Sequence, residues 1–238
     1  MILAILQARL SSTRLPGKVL LPLAGAPSIL RQIERVRRAT CIDRLVVATS
    51  DRADDDPLAK ALMEAGVDVF RGSLDDVLGR FLGALDAFPA QHVVRLTGDC
   101  PLTDPGVIDA TIALHLETGA DYTQNRLMEM GFPKGQDVEV VTAAALRRAA
   151  ERATTPEEHE HVTWGVWSHP ELYKIARLKP PLDEGHVRWT VDRPDDYEFV
   201  STVYDALYPA NPAFSSDDIR AFVRSRPDLA DYGGDPRV

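Results

Sequence analysis

Residues 7–18, QARLSSTRLPGK, combine three cations, Arg9, Arg14 and Lys18, with hydroxyls at Ser11, Ser12 and Thr13 and a glycine at position 17. Backbone N–H groups, hydroxyls and cations all favour anionic oxygens, so such a loop could wrap a polyphosphate. The plain alternative is a basic surface loop. The spacing matches neither GxxxxGK[ST] nor GxGxxG, which removes the main sequence support for P-loop kinases and dinucleotide oxidoreductases. Asp99 ends an apolar run in RLTGDCPL, where Gly98 allows close backbone approach. A carboxylate there could hold Mg2+, which takes one or two protein carboxylates plus phosphate oxygens, or it could simply cap a turn. Asp192, in RWTVDRPDDYEFV, repeats the layout of short apolar run, Asp and Pro-started helix, with a helix cap as the alternative. Two such aspartates could share a metal if the fold brings them together.

Three other groups of residues invite chemistry and support it less. His159 and His161, in EEHEHVTWG, are two apart and point about 200° away from each other on a helix, so they cannot chelate zinc together. Glu157 and His161 do share a helical face and could form a substrate-binding or proton-handling pair, or a surface ion pair. Asp54, Asp55 and Asp56 formally match a DxD metal motif, but three acids at a helix start also complement its dipole, which is the better reading. Cys100 has no sequence feature to supply a base and reads as a small packing residue.

The elements that must position these residues follow from the apolar pattern. Runs at 2–6, 45–49, 67–70 and 92–96 alternate with helical segments at about 27–39, 54–65 and 74–88, the signature of an α/β fold with a parallel sheet. Ligands of such sheets sit outside the carboxyl ends of the strands, which places 7–18, 49–56, 71–76 and 97–104 on one rim. After a helix starting at Pro105 the alternation breaks. Strands are expected near 121–123 and 137–141, helices at 142–152 and 156–168, an extended segment at 172–178, a short strand at 187–191 and a helix at 194–208. The final residues, DYGGDPRV, read as a loose tail.

Composition limits the classes. The 238 residues fit one domain, 1–238, with residues 120–180 as a candidate small lobe. A net charge of −9 disfavours a nucleic-acid partner, which requires a basic face. The charge is uneven, with eight Lys/Arg against Glu34 and Asp43 in residues 1–50, for a local balance of +6. Arg31, Arg35, Arg37 and Arg38 are expected on the solvated face of a helix, leaving Arg9, Arg14 and Lys18 to form an anion site. No apolar stretch approaches about 18 residues, the start lacks a signal-peptide pattern, and Cys41 and Cys100 form no metal or disulfide motif. A cytoplasmic protein with no membrane partner is expected.

Taken together, ILQARLSSTRLPGKVL (5–20), VVATS (46–50), VFRGSLDDVLGRF (69–81), VVRLTGDCPLTDP (93–105) and RWTVDRPDDYEFV (188–200) resemble, in that order, the SpsF-type spore-coat polysaccharide cytidylyltransferases. These are relatives of the CMP-KDO and acylneuraminate cytidylyltransferases. The resemblance implies the nucleotide-diphospho-sugar transferase fold, a Rossmann-like α/β/α sandwich with a mostly parallel sheet and a small acceptor or dimerisation lobe. It puts the triphosphate of CTP on Arg9, Ser12, Arg14 and Lys18, with Gln7 and Ala8 near the base and Thr49, Ser50 and Arg71 flanking. Asp99 and Asp192 match the residues that hold Mg2+. Gln136, Asp137, Glu139, Glu160, His161 and Thr163 fall where relatives bind the acceptor. The wording TGDCPL is the SpsF-type version of the Asp99 block, and acceptors differ among such proteins, so the resemblance leaves the substrate open.

The implied reaction is attack of an acceptor oxygen on the α-phosphorus of CTP with loss of pyrophosphate. Lys18, Arg14 and Asp99 are expected to carry it, and a homodimer is implied. Alternatives within the same fold are a sugar-1-phosphate nucleotidylyltransferase using another NTP and a glycosyltransferase; from another class, a nucleotide-binding protein without turnover.

Overall fold

The computed structural model describes residues 1–126 and 131–238. Four strands, β1 (Ile2–Gln7), β2 (Arg44–Ser50), β3 (Asp68–Gly72) and β4 (His92–Thr97), lie parallel in the order β3-β2-β1-β4. Ile5 pairs with Val46 on one side and Arg95 on the other. Strands covered on both faces need apolar residues at every position, and Leu3, Ala4, Ile5 and Leu6 are all completely buried. The sheet continues through β5 (Tyr122–Gln124), β6 (Glu139–Thr142) and β7 (Ile175–Arg177) to give seven strands ordered β3-β2-β1-β4-β6-β5-β7. Here the parallel pattern breaks, because β6 runs antiparallel to both β4 and β5.

Helices cover both faces. On one, α1 (Ser28–Val36), α2 (Asp56–Glu64) and α4 (Pro105–Thr118) pack Ile29, Ile33, Leu58, Leu62, Ile108 and Ile112 against Ala4, Leu6, Val47 and Val94. On the other, α3 (Val77–Ala87) and α5 (Ala143–Ala150) pack Phe81, Leu85 and Leu146 against Leu3, Ile5, Val46 and Val93. Adjacent residues of one strand thus feed two separate cores, as the two-residue period of a strand requires. A third core, built on Trp189, Phe199, Val203, Phe214 and Ile219, joins α8 (Pro194–Leu207) and α9 (Ser216–Arg224) to Leu23 and Leu102.

Several expectations change. Residues 156–168 are not one helix but α6 (Pro156–Glu160) and α7 (Trp164–Trp167), separated at Val162, whose φ of 48° breaks the helical run. Residues 187–191 are extended without forming a sheet strand. Their backbone turns to successive partners, Trp189 N to Lys134 O (2.8 Å), Arg188 N to Pro236 O (2.9 Å) and Val191 N to Asp99 O (2.7 Å), so no ladder propagates. The terminal segment is no loose tail: Asp231–Tyr232 and Asp235–Pro236 pair antiparallel around Gly233 and Gly234, both at positive φ as this tight turn requires. Arg31 and Arg35 are not a solvated helix face. Arg35 is 2% exposed and donates to Thr103 O (2.7 Å) and Phe214 O (2.9 Å), while Arg31 reaches Leu23 O and Ala24 O. Both tie α1 to the third core, and the backbone carbonyls that accept from their guanidinium groups offset the burial of charge. Among the described residues no helix is long and apolar enough to cross a membrane.

Candidate active site

The loop after β1 is shaped before any ligand is considered. Gly17, at φ 70°, folds the chain back so that its N–H donates to Leu10 O (3.0 Å), and a single helical turn at Lys18–Leu20 follows. Asp55, 1% exposed, accepts from Leu10 N at 2.6 Å and from Ser50 N and Oγ. One acid of the Asp54–Asp56 trio therefore fastens the cation-rich loop to the end of β2, a role that neither a metal motif nor a helix-dipole reading anticipates. Gly98 closes the other side of the rim. A Cβ there would stand 2.9 Å from Ala8 Cβ and 3.1 Å from Gln7 O, so only glycine lets the ends of β1 and β4 approach this closely.

The rim encloses an open cavity of about 580 Å3. Of the residues singled out in the sequence, Gln7, Ala8, Arg9, Ser12, Arg14, Lys18, Asp99, Asp192, Glu160 and His161 line it. At one side, the Lys18 ammonium donates to Asp192 Oδ1 (2.7 Å), Asp99 Oδ2 (3.2 Å) and Val191 O (2.8 Å), and Arg14 Nη2 lies 3.1 Å from Asp192 Oδ2. The two aspartates are thus neighbours. They meet because the 187–191 segment docks on the Asp99 turn: Val191 N and Thr190 Oγ1 both donate to Asp99 O (2.7 and 3.1 Å). Burial works to raise the Asp99 carboxyl, but the Lys18 charge and hydrogen bonds from Thr97 and Cys100 outweigh it and hold the group below its usual range. Burial and the Asp99 charge push the Cys100 thiol well up, which suits a packing residue and not a nucleophile.

The donor set fits a hard divalent cation. Three oxygens, two of them carboxylate, converge on one positive charge beside a loop built for anionic oxygens, and Mg2+ commonly completes its shell with phosphate and water. Among the described residues no cluster of three or more His, Cys, Asp or Glu forms, so a zinc-type cage has no support.

Other candidates are set back from the cavity. Thr49 is fully buried, Ser50 is engaged by Asp55, and Arg71 pairs with Asp56 (2.7 Å) while donating to Ser50 O and Arg52 O. Gln136 is 2% exposed and donates to Leu102 O (2.8 Å). Asp137 flanks the Gly135 turn at the surface, its Oδ2 accepting from Gly135 N at 3.4 Å. Glu139 and Thr163 sit below the cavity floor in a chain: Thr163 Oγ1 donates to Glu139 Oε2 (2.6 Å), Arg95 Nη1 to Glu139 Oε1 (2.9 Å), and Arg95 Nε to Gln7 Oε1 (3.1 Å). No side-chain bond joins Glu157 to His161 among the described residues; His161 stacks on Trp164 at 5.7 Å, and it is His159 that finds a carboxylate, Asp76, at 2.9 Å.

Sequence reasoning passed over Arg95 and Arg80, and considered His159 only as half of a zinc pair; all three line the cavity. Arg95 carried a signal, being a cation inside a strand otherwise apolar on both faces. Arg80 carried none, since an arginine in a helix is ordinarily solvated; here it is 4% exposed and donates to Ser73 O at 2.7 Å.

Against known proteins, residues 3–192 match the family model described as Cytidylyltransferase. The spore coat polysaccharide biosynthesis protein SpsF of Bacillus subtilis (strain 168) is 36% identical over 236 residues, covering 96% of each chain. A solved cytidylyltransferase structure from Leptospira borgpetersenii superposes with a TM-score of 0.90 at 30% identity, covering 96% of this chain and 95% of that one. The structure of a CMP:2-keto-3-deoxy-manno-octonic acid synthetase complexed with CTP gives a TM-score of 0.66 over 86% of this chain and 98% of that one, at 16% identity, a likeness of fold.

Proposed function

The chain belongs to the cytidylyltransferase family, and from that we propose that it transfers CMP from CTP to a sugar, sugar acid, phosphate or phosphonate acceptor, releasing pyrophosphate, in surface polysaccharide or glycoconjugate biosynthesis. The observation that carries this reading is the convergence of Asp99 and Asp192 on Lys18, beside Arg14 and the Arg9–Ser12 loop. A polyphosphate binder alone has no need of two carboxylates at the same point.

An acceptor oxygen attacks the α-phosphorus in line. The new O–P bond forms as the bond from the α-phosphorus to the bridging oxygen breaks, and that oxygen leaves with pyrophosphate. When the acceptor is a hydroxyl its proton is lost, and no side chain is assigned as the base. Phosphoryl chemistry asks mainly for positioning and charge neutralisation. Arg9, Ser12, Arg14 and Lys18 bind and orient the triphosphate, and Lys18 and Arg14 offset the charge that grows on the leaving group. Asp99 and Asp192 would hold Mg2+, which when bound neutralises phosphate charge and polarises the attacking oxygen. Glu160 and His161 form the wall nearest the acceptor, with Glu139 and Thr163 behind it; Gln136 and Asp137 complete the acceptor assignment through the turn they shape. Thr49, Ser50 and Arg71 act on the nucleotide through the loop that Asp55 anchors. The chain is proposed to work as a homodimer, with 120–180 serving the acceptor or the dimer contact.

The test is pyrophosphate release from CTP, UTP, ATP and GTP with Mg2+ against sugar acids, sugar phosphates and small phosphonates, with an EDTA control. Metal-dependent release with CTP and one acceptor class is expected. Release only with another NTP overturns the base assignment, glycosyl transfer without pyrophosphate overturns the reaction, and CTP binding without turnover across the panel favours a non-catalytic binder.

A further inference from the structure

Asp192 does not hold its own position. Its backbone N–H donates to Asp196 Oδ2 at 3.0 Å, and the N–H of Arg193 donates to the same oxygen at 3.0 Å, so one carboxylate closes the turn that presents Asp192 to the cavity. Asp196 is itself completely buried and is gripped by two arginines. Arg188 meets it with both Nε (2.8 Å to Oδ1) and Nη2 (2.7 Å to Oδ2), and Arg237 Nη2 donates to Oδ1 at 3.1 Å. Arg188 Nη2 also lies 3.5 Å from Asp192 Oδ2, which links the grip directly to the side chain in question.

Arg237 comes from the C-terminal hairpin and is completely buried. It is bound on every side: Nη1 donates to Arg188 O (2.7 Å), Nε to Tyr232 O (3.1 Å), and its carbonyl accepts from Trp189 Nε1 (2.9 Å). Asp235 of the same hairpin pairs with Arg193, the residue after Asp192. The hairpin presses on the first turn of α8 closely enough that a Cβ at Gly233 would stand 2.6 Å from Asp195 Cβ. A buried arginine with this many fixed partners costs desolvation that surface packing would not require, and the object at the centre of its partners is the Asp192 turn.

We infer that Arg237 and Asp196 are positioning residues for the metal-holding carboxylate of Asp192, so that the C-terminal hairpin is a working part of the site. The inference rests on the reading of Asp99 and Asp192 as a pair that binds Mg2+. Outer partners that orient a metal ligand typically change metal affinity by about 10- to 100-fold when removed.

The experiment measures Mn2+ binding by electron paramagnetic resonance with CTP present, and CTP binding without metal by calorimetry, for the parent, Arg237→Met, Arg237→Lys, Gly233→Ala and Asp192→Asn. Circular dichroism identifies folded preparations. Arg237→Met is expected to weaken Mn2+ binding about 10- to 100-fold with metal-free CTP affinity within twofold of the parent, and Arg237→Lys to recover part of the loss. Should Arg237→Met not fold, Gly233→Ala displaces the hairpin while leaving Asp192 and Asp196 intact, and weaker Mn2+ binding in that variant supports the positioning role equally. Parent-like Mn2+ binding in the folded hairpin variants, with Asp192→Asn impaired, overturns the positioning role alone. Parent-like binding in Asp192→Asn overturns the metal reading beneath it.

Discussion

The ammonium of Lys18 stands 2.7 Å from a carboxylate oxygen of Asp192, a residue 174 positions further along the chain, and 3.2 Å from one of Asp99. One side chain of the loop after β1 thereby joins two carboxylates delivered by β4 and by the lead into α8.

Removing that ammonium withdraws a charge positioned for the leaving phosphates. Lys18→Ala and Asp99→Asn are each expected to lower the rate of pyrophosphate release by at least about 10²–10³, the usual cost of deleting an electrostatic stabiliser. Single-turnover assays on folded protein check this, and near-normal turnover in either would sink the assignment.

Asp55 offers a separation of loop shape from loop charge. Asp55→Ala leaves every cation of residues 7–18 in place but strips Leu10 N and Ser50 of their partner. Stability is expected to fall by about 1–3 kcal/mol, the cost of leaving buried polar groups unpaired. The KM for CTP should rise more than kcat falls, because the loop then binds the triphosphate without a fixed shape. Urea unfolding and steady-state kinetics read the two effects independently.

Gly98→Ala tests the rim itself. The added methyl meets Ala8 Cβ at 2.9 Å, Gln7 O at 3.1 Å and Ile29 Cδ1 at 3.2 Å, backbone and core atoms with little room to give. A loss of about 1–3 kcal/mol of stability is expected, as for overpacking in general, with a larger proportional loss of kcat/KM. Full activity with unchanged stability would show that the strand ends can part without consequence.

A fourth expectation concerns acid. His115 is 1% exposed, between His92 and Thr123, and burial followed by the His92 charge lowers its pKa to about 4. The unfolded chain takes up that proton near pH 6.5, the folded one only near pH 4, so the unfolded state binds more protons across this window. Stability therefore falls as pH falls from about 6.5 to about 4, by no more than about 1.4 kcal/mol per unit from this group. His115→Asn should flatten that part of the profile in urea titrations at pH 7, 6 and 5; an unchanged slope would remove His115 as its source.

How much of this was legible in the sequence depends on what each residue packs against. The parallel sheet is plain from its central strand, because a strand buried on both faces has to be apolar throughout, as Leu3–Leu6 are. Residues 187–191 alternate instead, apolar Val187, Trp189 and Val191 with Arg188 and Thr190, as a half-buried strand would; yet the three apolar side chains fill the third core while the backbone serves other segments, and alternation does not distinguish the two cases. The chemistry of Lys18, Asp99 and Asp192 is readable from their types, but their meeting is set by that docking and by nothing local. Arg35 and Arg237 look like solvated charges in the sequence and are buried struts in the fold, because their partners are carbonyls and a carboxylate far away in the chain. Asp55 was hidden by its neighbours, since three acids in a row conceal the one that turns inward.

Asp99 lies in the turn that follows β4 of the central sheet, whereas Asp192 is carried by the cluster around Trp189, Phe199 and Phe214. The two carboxylates therefore come from different cores that are joined at one place, where Val191 N and Thr190 Oγ1 hold Asp99 O and Leu102 enters the Trp189 cluster. Their separation is set by that joint. A substitution deep in the Trp189 cluster would reach the carboxylate pair through this joint without changing any residue of the site.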